Sequence, residues 1–494
     1  MVNINHKALF ENTPVNKAVL SLILPTVISQ LITVIYNVAD TFFIGQLGDP
    51  AQVAAVSLCL PLFIFLTGMA NLLGIGGSSL IARSLGVGKP QKARNVAAFS
   101  IWAAAGAAAA YGLVLLILGD KILPAIGADE ETYMYCSDYV FWTITIGAAP
   151  TVMNQVFAHL VRSEGCSREA SFGVAIGGVL NIGLDPVFIF FLGMETTGAA
   201  VATMISNIIA MGYFIILINR RRSFSVISLD IRNFTLKQRI PADVLLVGLP
   251  SCMMNLMGVL SNITINVLMS SYGSAAVAAV GVAKKVDNVS FADATGISQG
   301  VLPLIAYNYA SGDHRRMSAT IRTTFVICLG VLTALSVLLF TCAAPIVRAF
   351  IDDPLTVEHG QFFQKVICLT GPCIAVTLTT IAVFQSMGHK VQPLILSVLR
   401  KGGLDIPLMF IMNRLAGLDG IIWATPMADL TAMIVAMIFM KAFRKEMKMK
   451  MTDADEEKIS ASDEKIQEAS DEEVSFISAQ LMEKNKEAYE ELAK

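Results

Sequence analysis

Apolar residues in this chain come in long uninterrupted runs, and the polar residues gather in short breaks between them. Twelve such runs lie near 18–45, 53–82, 95–118, 133–160, 170–192, 197–219, 243–270, 275–309, 319–341, 362–386, 393–413 and 419–441. Each approaches or exceeds the ~20 residues that a helix needs to cross ~30 Å of hydrocarbon. A chain in hydrocarbon must satisfy its own backbone polar groups, and an α-helix does so within each run. The pattern predicts an all-α integral membrane protein of twelve transmembrane helices.

Composition agrees with that reading. The chain is 55% hydrophobic and 15% charged, with a mean hydropathy of +0.64, which a soluble domain of this length would not tolerate. The breaks fall into two sets. One set reads RSLGVGKPQKAR, RSEGCSREAS, NRRRSFSVISLDIRNFTLKQR, SGDHRRM and KAFRKEMKMK; the other reads LGDPAQ, GDKILPAIGADEET, GMETTG, SSYGS, IDDPLTVEHG and RLAGLDG. Lys and Arg mark the loops that stay in the cytoplasm, so both termini and the central loop are expected inside. The first sixteen residues are polar and lack a small-residue cleavage site, so no removable signal peptide is expected. The lipid bilayer is the expected surrounding, with no nucleic-acid partner.

The two halves repeat each other. A shift of about 220–225 residues places Leu24-Pro25 on Leu249-Pro250 and GGSSLIARSLGVGKPQKAR on GVLPLIAYNYASGDHRRMS. The same shift places GLD at Gly183–Asp185 on GLD at Gly403–Asp405, and Thr203 on Thr425. Both halves begin on the same side, which makes this a parallel repeat of six spans. Such repeats pack as two lobes about an axis along the membrane normal and suit a transporter that rocks around a central site. The expected organisation is an N-terminal segment at 1–17, a first lobe at 18–219, a linker at 220–241, a second lobe at 242–444 and a charged tail at 445–494.

Two aspartates lie deep in apolar runs of the first half, Asp40 in LITVIYNVADTFFIGQLG and Asp185 in GGVLNIGLDPVFIFF. Between about 18 and 159 every Lys and Arg falls in a polar break. A carboxylate at membrane depth costs at least ~2.5–3.5 kcal/mol on insertion scales, so an acid without an evident partner marks a site. Gln30, Thr33, Asn37 and Asp40 share one helix face, with Tyr36 one turn before Asp40; Asn181 and Asp185 share another. Pro186 removes a backbone donor and frees the carbonyl of Ile182. Thr203 and Asn207 form a third polar pair. Carboxylates, amides, hydroxyls and a carbonyl are hard oxygen ligands suited to Na⁺; the same two acids could instead share a proton, or hydrogen-bond across helices as interior glue. Asn154, Asn255 and Asn262 join Gln30, Thr33, Asn37 and Asn207 as candidates for lining a substrate cleft. Pro25 and Pro186 are candidate hinges.

The second half is built differently. The repeat places Ile265 at the position of Asp40 and Lys401 at that of Asn181, so Lys401 and Asp405 are expected to form an internal ion pair. Lys284, Lys285, Asp287 and Asp293 crowd span eight, with Arg400 in span eleven and Asp429 in span twelve. These charges could neutralise one another or line the cleft for an anionic substrate group. The eight cysteines read as apolar packing residues, and neither they nor the histidines show metal-ligand or nucleophile spacing. No enzyme is expected, and no cofactor beyond a coupling ion.

With these motifs in hand, the chain resembles the multidrug and toxic compound extrusion (MATE) transporters over roughly residues 15–444. The resemblance rests on LP with VADTFFIGQLG, the glycine-rich run ending in GVGKPQKAR, NIGLDPVFIF with its following GAAVAT, and the echo ASGDHRR. It implies twelve helices in two V-arranged bundles and H⁺- or Na⁺-driven antiport of amphipathic, often cationic, small organic molecules. It also implies cation coupling at Asp40, Asn181, Asp185 and Thr203, with Tyr36 beside them; these four would be the Na⁺ ligands if Na⁺ is the ion. Span seven, SCMMNLMGVLSNITINVLM, lacks the acid of the NorM-like branch, which places the chain closer to the DinF-like branch. A monomer in a bacterial inner membrane is the corresponding expectation. The alternative function is a flippase for a lipid-linked anionic precursor, which would need a cationic cleft.

The tail beyond about residue 452 carries fourteen acids and five lysines. It reads as a solvated cytoplasmic appendage with a helix at DEEVSFISAQLMEKNKEAYEELA, or as a partner-binding helix.

Overall fold

The computed structural model describes the backbone of residues 8–350 and 353–492. Residues 1–7 of the N-terminal segment and 351–352 of the IDDPLTVEHG break lie outside the described residues. Helices account for nearly everything described, with no strand among the described residues.

The first half comprises α1 (Val15–Gly45), α2 (Pro50–Gly86), α3 (Pro90–Ala125), α4 (Tyr133–Val140), α5 (Ala148–Ser163), α6 (Ser167–Pro186) and α7 (Glu195–Arg220). The second half comprises α8 (Ile240–Ser270), α9 (Ser274–Ala310), α10 (His314–Thr341), α11 (Ala343–Phe350), α12 (Pro354–Cys368), α13 (Gly371–Met387), α14 (Val391–Val398) and α15 (Asp405–Leu492). Eight helical stretches among the described residues are long and apolar enough to span alone. Two more spans are bent pairs, Tyr133–Ile146 with Ala148–Ser163 at 48° and Pro354–Cys368 with Gly371–Met387 at 43°. Helix α9 is the eleventh, too charged to stand out by hydropathy because it carries Lys284, Lys285, Asp287 and Asp293. The twelfth emerges at Gly417, whose φ of 61° and ψ of −136° break the stretch Val391–Met447 in two.

Short breaks double as helix starts. Asp49 accepts from the Ala51 amide, with Pro50 opening α2, and Asp353 does the same for Thr356, with Pro354 opening α12. Acid followed by proline supplies a cap oxygen and a residue that needs no donor at the first helical position.

The chain divides at Met437/Ile438 into two compact units. Both six-span bundles lie in the first. They meet where α1 packs along α9 and α2 along α8, near the face that carries the basic loops. Glycines make these crossings possible. A Cβ on Gly76 would collide with the Val244 carbonyl, and one on Gly248 with the Leu72 carbonyl. At the other crossing, a Cβ on Gly300 would stand 3.0 Å from the Leu22 carbonyl, and one on Gly296 2.8 Å from the Val27 Cα. Small residues let backbones approach closely, which drives helix association in lipid. The repeat pairs Gly76 with Gly300, so each bundle offers the same position to the other. Ser79 Oγ donates 2.6 Å to the Gln385 carbonyl, and Gln385 Nε2 donates 2.9 Å to both Val247 O and Ser251 Oγ. This ties α2 to α13 and α8 across the seam.

The second unit, taken by itself, is the helical stretch from Ile438 to Leu492. It is helical well upstream of the segment 471–493 that the sequence suggested, and Val474, Phe476, Ile477 and Met482 are exposed on it.

Candidate functional site

Helices α1, α4, α6 and α7 place the polar residues of the first half in one pocket. Helix α6 buries Asn181 and Asp185 on the same face one turn apart, at 2% and 0% exposure. Asn181 Nδ2 donates 3.1 Å to Asp185 Oδ1 and 3.1 Å to Thr203 Oγ1 on α7. Thr203 continues the chain, its carbonyl accepting from Asn207 Nδ2 at 3.0 Å; Asn207 Oδ1 in turn accepts from Asn154 Nδ2 at 3.0 Å. The result is a continuous polar track, Asn154–Asn207–Thr203–Asn181–Asp185, through an apolar bundle. Helix α1 reaches it because Gly178 has no side chain; a Cβ there would stand 2.8 Å from Ile32 Cγ2 and 3.1 Å from Tyr36 Cδ1. Asp40, one turn beyond Tyr36, is half-buried, and Asp185 lies within its electrostatic reach.

The track is under-satisfied at both ends, chiefly at its carboxylates. Asp40 Oδ1, Asp185 Oδ2, Asn181 Oδ1 and Asn154 Oδ1 are buried acceptors with no hydrogen-bond partner. Among the described residues neither aspartate has an ion pair. Buried acceptors normally find a donor, so a cluster of open oxygens needs an explanation. They suit a bare cation: two carboxylates with an amide and a hydroxyl oxygen beside them form a hard-oxygen donor set.

The other candidates divide. Tyr36 belongs to the pocket; Asn154 and Asn207, expected on the substrate cleft, are part of the polar track. Gln30 is half-buried, Asn37 is exposed, and Thr33 turns back to donate 3.0 Å to the Ser29 carbonyl of its own helix. On α8, Asn255 is half-buried with a partnerless Nδ2, and Asn262 is exposed. Pro25 sits inside a continuous α1, with no break in the helix there. Pro186 ends α6, and a wide π turn over Val187–Phe191 follows; such turns recur at functional sites. Sequence reasoning missed Tyr139 on α4. It is 6% exposed and has Asp40, Asp185 and Tyr36 as electrostatic neighbours. One of three tyrosines in YMYCSDYVF carries no signal of its own; the packing of α4 against the pocket supplies it.

The family profile described as MatE matches this chain twice, over residues 25–187 and again over 250–411. The chain belongs to the MATE family. The double match coincides with the internal repeat. Among relatives, the multidrug export protein MepA of Staphylococcus aureus strain NCTC 8325 is 30% identical over 441 residues, covering 88% of this chain and 95% of that protein. MepA of Staphylococcus saprophyticus is also 30% identical, over 435 residues. Among solved structures, a MATE protein in complex with MaL6 superposes with a TM-score of 0.85 at 23% identity, covering 90% of this chain and 99% of that one. An outward-facing multidrug resistance MATE transporter superposes at 0.81 with 24% identity and the same coverage. These likenesses fix the fold as twelve transmembrane helices in two bundles.

The second MATE repeat holds a counterpart of the pocket with different chemistry. Asp405, fully buried, is filled on both oxygens: Ser261 Oγ donates 2.5 Å to Oδ2 and Thr425 Oγ1 donates 3.0 Å to Oδ1. Thr425, the repeat counterpart of Thr203, thus donates to the acid directly, whereas Thr203 accepts from Asn181. The expected Lys401–Asp405 ion pair is absent among the described residues. The buried pair is Arg400 with Asp429, at 2.6 Å from Nε and 3.5 Å from Nη2, with the guanidinium over the Phe291 ring at 5.5 Å. A π turn over Leu399–Gly403 re-aims this stretch, which defeats counting in fours. Lys284 faces Asp405, Asp287 and Asp429 as well as Lys401. Acids and bases here are mixed, with Arg400 paired to Asp429 and Asp405 held by two hydroxyls, whereas the first pocket is acidic and open.

Proposed function

We propose that this protein is a secondary active multidrug exporter, exchanging H⁺ or Na⁺ for amphipathic, often cationic, organic compounds across a bacterial cytoplasmic membrane. Membership of the MATE family and the multidrug export of its MepA relatives support export of small molecules rather than catalysis. The observation that carries ion coupling is the open carboxylate oxygen on each of Asp40 and Asp185, in a pocket with no cationic partner among the described residues. The positive-inside rule puts the basic-loop face and both termini in the cytoplasm, and the chain acts as a monomer. The tight α1–α9 and α2–α8 crossings near that face support reading this as the outward-facing state.

In the cycle, a cation enters from outside and binds Asp40 and Asp185. Neutralising the two acids changes how α1 packs on α6, and the bound drug is released outward. The ion must favour one state by several kcal/mol, because equal affinity for both shifts nothing. A membrane potential adds ~2.3 kcal/mol per charge per 100 mV. The second pocket weighs against an anionic lipid precursor as substrate. Arg400 is paired with Asp429, and Lys284 has three acids and Lys401 about it, so positive charge in this pocket is offset by acids that would oppose a pyrophosphate.

Expression in an efflux-deficient bacterium tests this reading. Cells making the wild-type protein should accumulate less of a fluorescent cationic dye, and cells making Asp185→Asn should accumulate as much as the empty-vector control. Equal accumulation in all three would refute it.

A further inference from the structure

The N-terminal segment is bound more elaborately than a solvent-exposed lead-in requires. Residues Ala8–Asn12 form a single π turn, closed by Thr13, whose amide and hydroxyl both donate to the Ala8 carbonyl at 2.9 and 3.0 Å. Arg316, near the start of α10, grips this turn through three backbone carbonyls. Its Nε donates to Phe10 O at 2.6 Å, and its Nη2 donates to Leu9 O at 3.2 Å and to Thr13 O at 2.5 Å. The Tyr307 hydroxyl on α9 donates to Glu11 Oε1 at 2.6 Å, and the Tyr307 ring packs on Phe10 with centroids 5.0 Å apart. All of these partners belong to the second bundle.

The other side of the same turn lies on the first bundle. Phe10 is 0% exposed. Gly165, in the turn between α5 and α6 with φ +80°, faces it; a Cβ there would stand 3.1 Å from Leu9 Cδ2 and 3.2 Å from Phe10 Cζ. Beside this point the end of α2 meets the end of α9, where a Cβ on Gly86 would press on the Tyr307 carbonyl and on Ser311 N at 3.2 Å. The segment therefore bridges both bundles at the face that must part when the protein opens inward. It runs through Pro14 directly into α1, the helix that carries Asp40.

We infer that residues 8–13 form a latch that holds the cytoplasmic ends of the two bundles together, and that Arg316 and Phe10 must let go before the inward-open state forms. The inference rests on the alternating-access reading above. Opening moves the Gly165 turn away from Tyr307 and Arg316, so the latch can stay on one bundle only. Because α1 is continuous from Val15 to Gly45, a shift of that helix at the ion pocket is transmitted to the latch without a flexible joint.

Spin labels at Lys89→Cys and Ser318→Cys, one on each bundle, report the separation of the cytoplasmic ends. Read in detergent with no gradient or substrate, Arg316→Ala and Phe10→Ala should each raise the long-distance population at least tenfold, with thermal melting confirming that the variants fold. Arg316→Lys, which keeps the charge but not the forked donor geometry, should fall between. A short bis-maleimide bridge between Glu11→Cys and Tyr307→Cys should stop dye export. Unchanged distances in both alanine variants, or full-rate export with the bridge in place, overturns the latch. If distances shift but no cationic dye is ever exported, the latch stands and the exporter reading fails.

Discussion

Substituting Gly248 tests the idea that glycine crossings hold the cytoplasmic side shut. Real Cβ atoms essentially never come closer than 3.0 Å to a neighbouring heavy atom, and a Cβ on Gly248 would lie well inside that limit from the Leu72 carbonyl. That neighbour is backbone, so it cannot swing aside, and α2 and α8 must part. Overpacking of this kind costs about 1–3 kcal/mol. The cost falls on the closed state alone, so Gly248→Ala should move the equilibrium toward the inward-open form by about 5- to 150-fold. Gly258→Ala, ten residues along the same helix where nothing lies within 4 Å, is the control and should move it little. Distances between labels at Lys89→Cys and Ser318→Cys, with the partly exposed Cys342 replaced by serine, give the populations. A folded Gly248→Ala protein with a wild-type distance distribution would refute the reasoning.

Further outcomes follow from the same geometry. Arg400→Met should cost about 3–5 kcal/mol of stability because it strands Asp429 in the bundle, and adding Asp429→Leu should restore most of it; thermal melting in detergent shows a failure if the double variant is no better than the single. Asp405→Asn leaves one amide oxygen for two hydroxyl donors and should lower stability by about 1–3 kcal/mol, yet keep gradient-driven export; loss of coupling there would shift the ion site to the second bundle. Outside the membrane, the Thr356 hydroxyl and amide hold the Asp353 carboxylate below its ordinary range, as those of Thr132 do for Asp129. Each contributes order that is present above the ordinary aspartate range and is lost as pH falls through the lowered value. The protection of the Thr356 amide, its exchange rate corrected for the intrinsic rate at each pH, should therefore fall on acidification in the wild type, and an Asp353→Asn protein should show a much weaker pH dependence.

Much of this was legible in the sequence because hydrocarbon imposes simple rules. Run length gave the spans, and the order of LP, the glycine-rich run and GLD gave the repeat that the family profile matches twice. The pairing of Asn181 with Asp185 followed from helical spacing, and the nearness of Thr203 was what the family resemblance implied. What was hidden depends on departures from regular helix. The 48° bend at Gly147 and the 43° bend after Cys368 leave little trace in hydropathy. The π turn at Leu399–Gly403 shifts which side chains share a face, so Arg400 rather than Lys401 finds an acid. Tyr139 joins the pocket through packing of α4, and the latch at residues 8–13 reads as an ordinary polar lead-in until Arg316, some three hundred residues away, is seen holding it. Helix α9 was expected as a span although its four charges mask it by hydropathy; their neighbours in the second bundle explain how it is tolerated.

The central claim is that Asp40 and Asp185 couple a cation to export. Efflux of a fluorescent cationic dye from proteoliposomes, under imposed H⁺ and Na⁺ gradients in turn, tests it for the wild type, Asp40→Asn and Asp185→Asn. The account predicts dye movement driven by at least one gradient in the wild type and reduced at least tenfold in both variants. Gradient-driven efflux at the wild-type rate in either variant would contradict it.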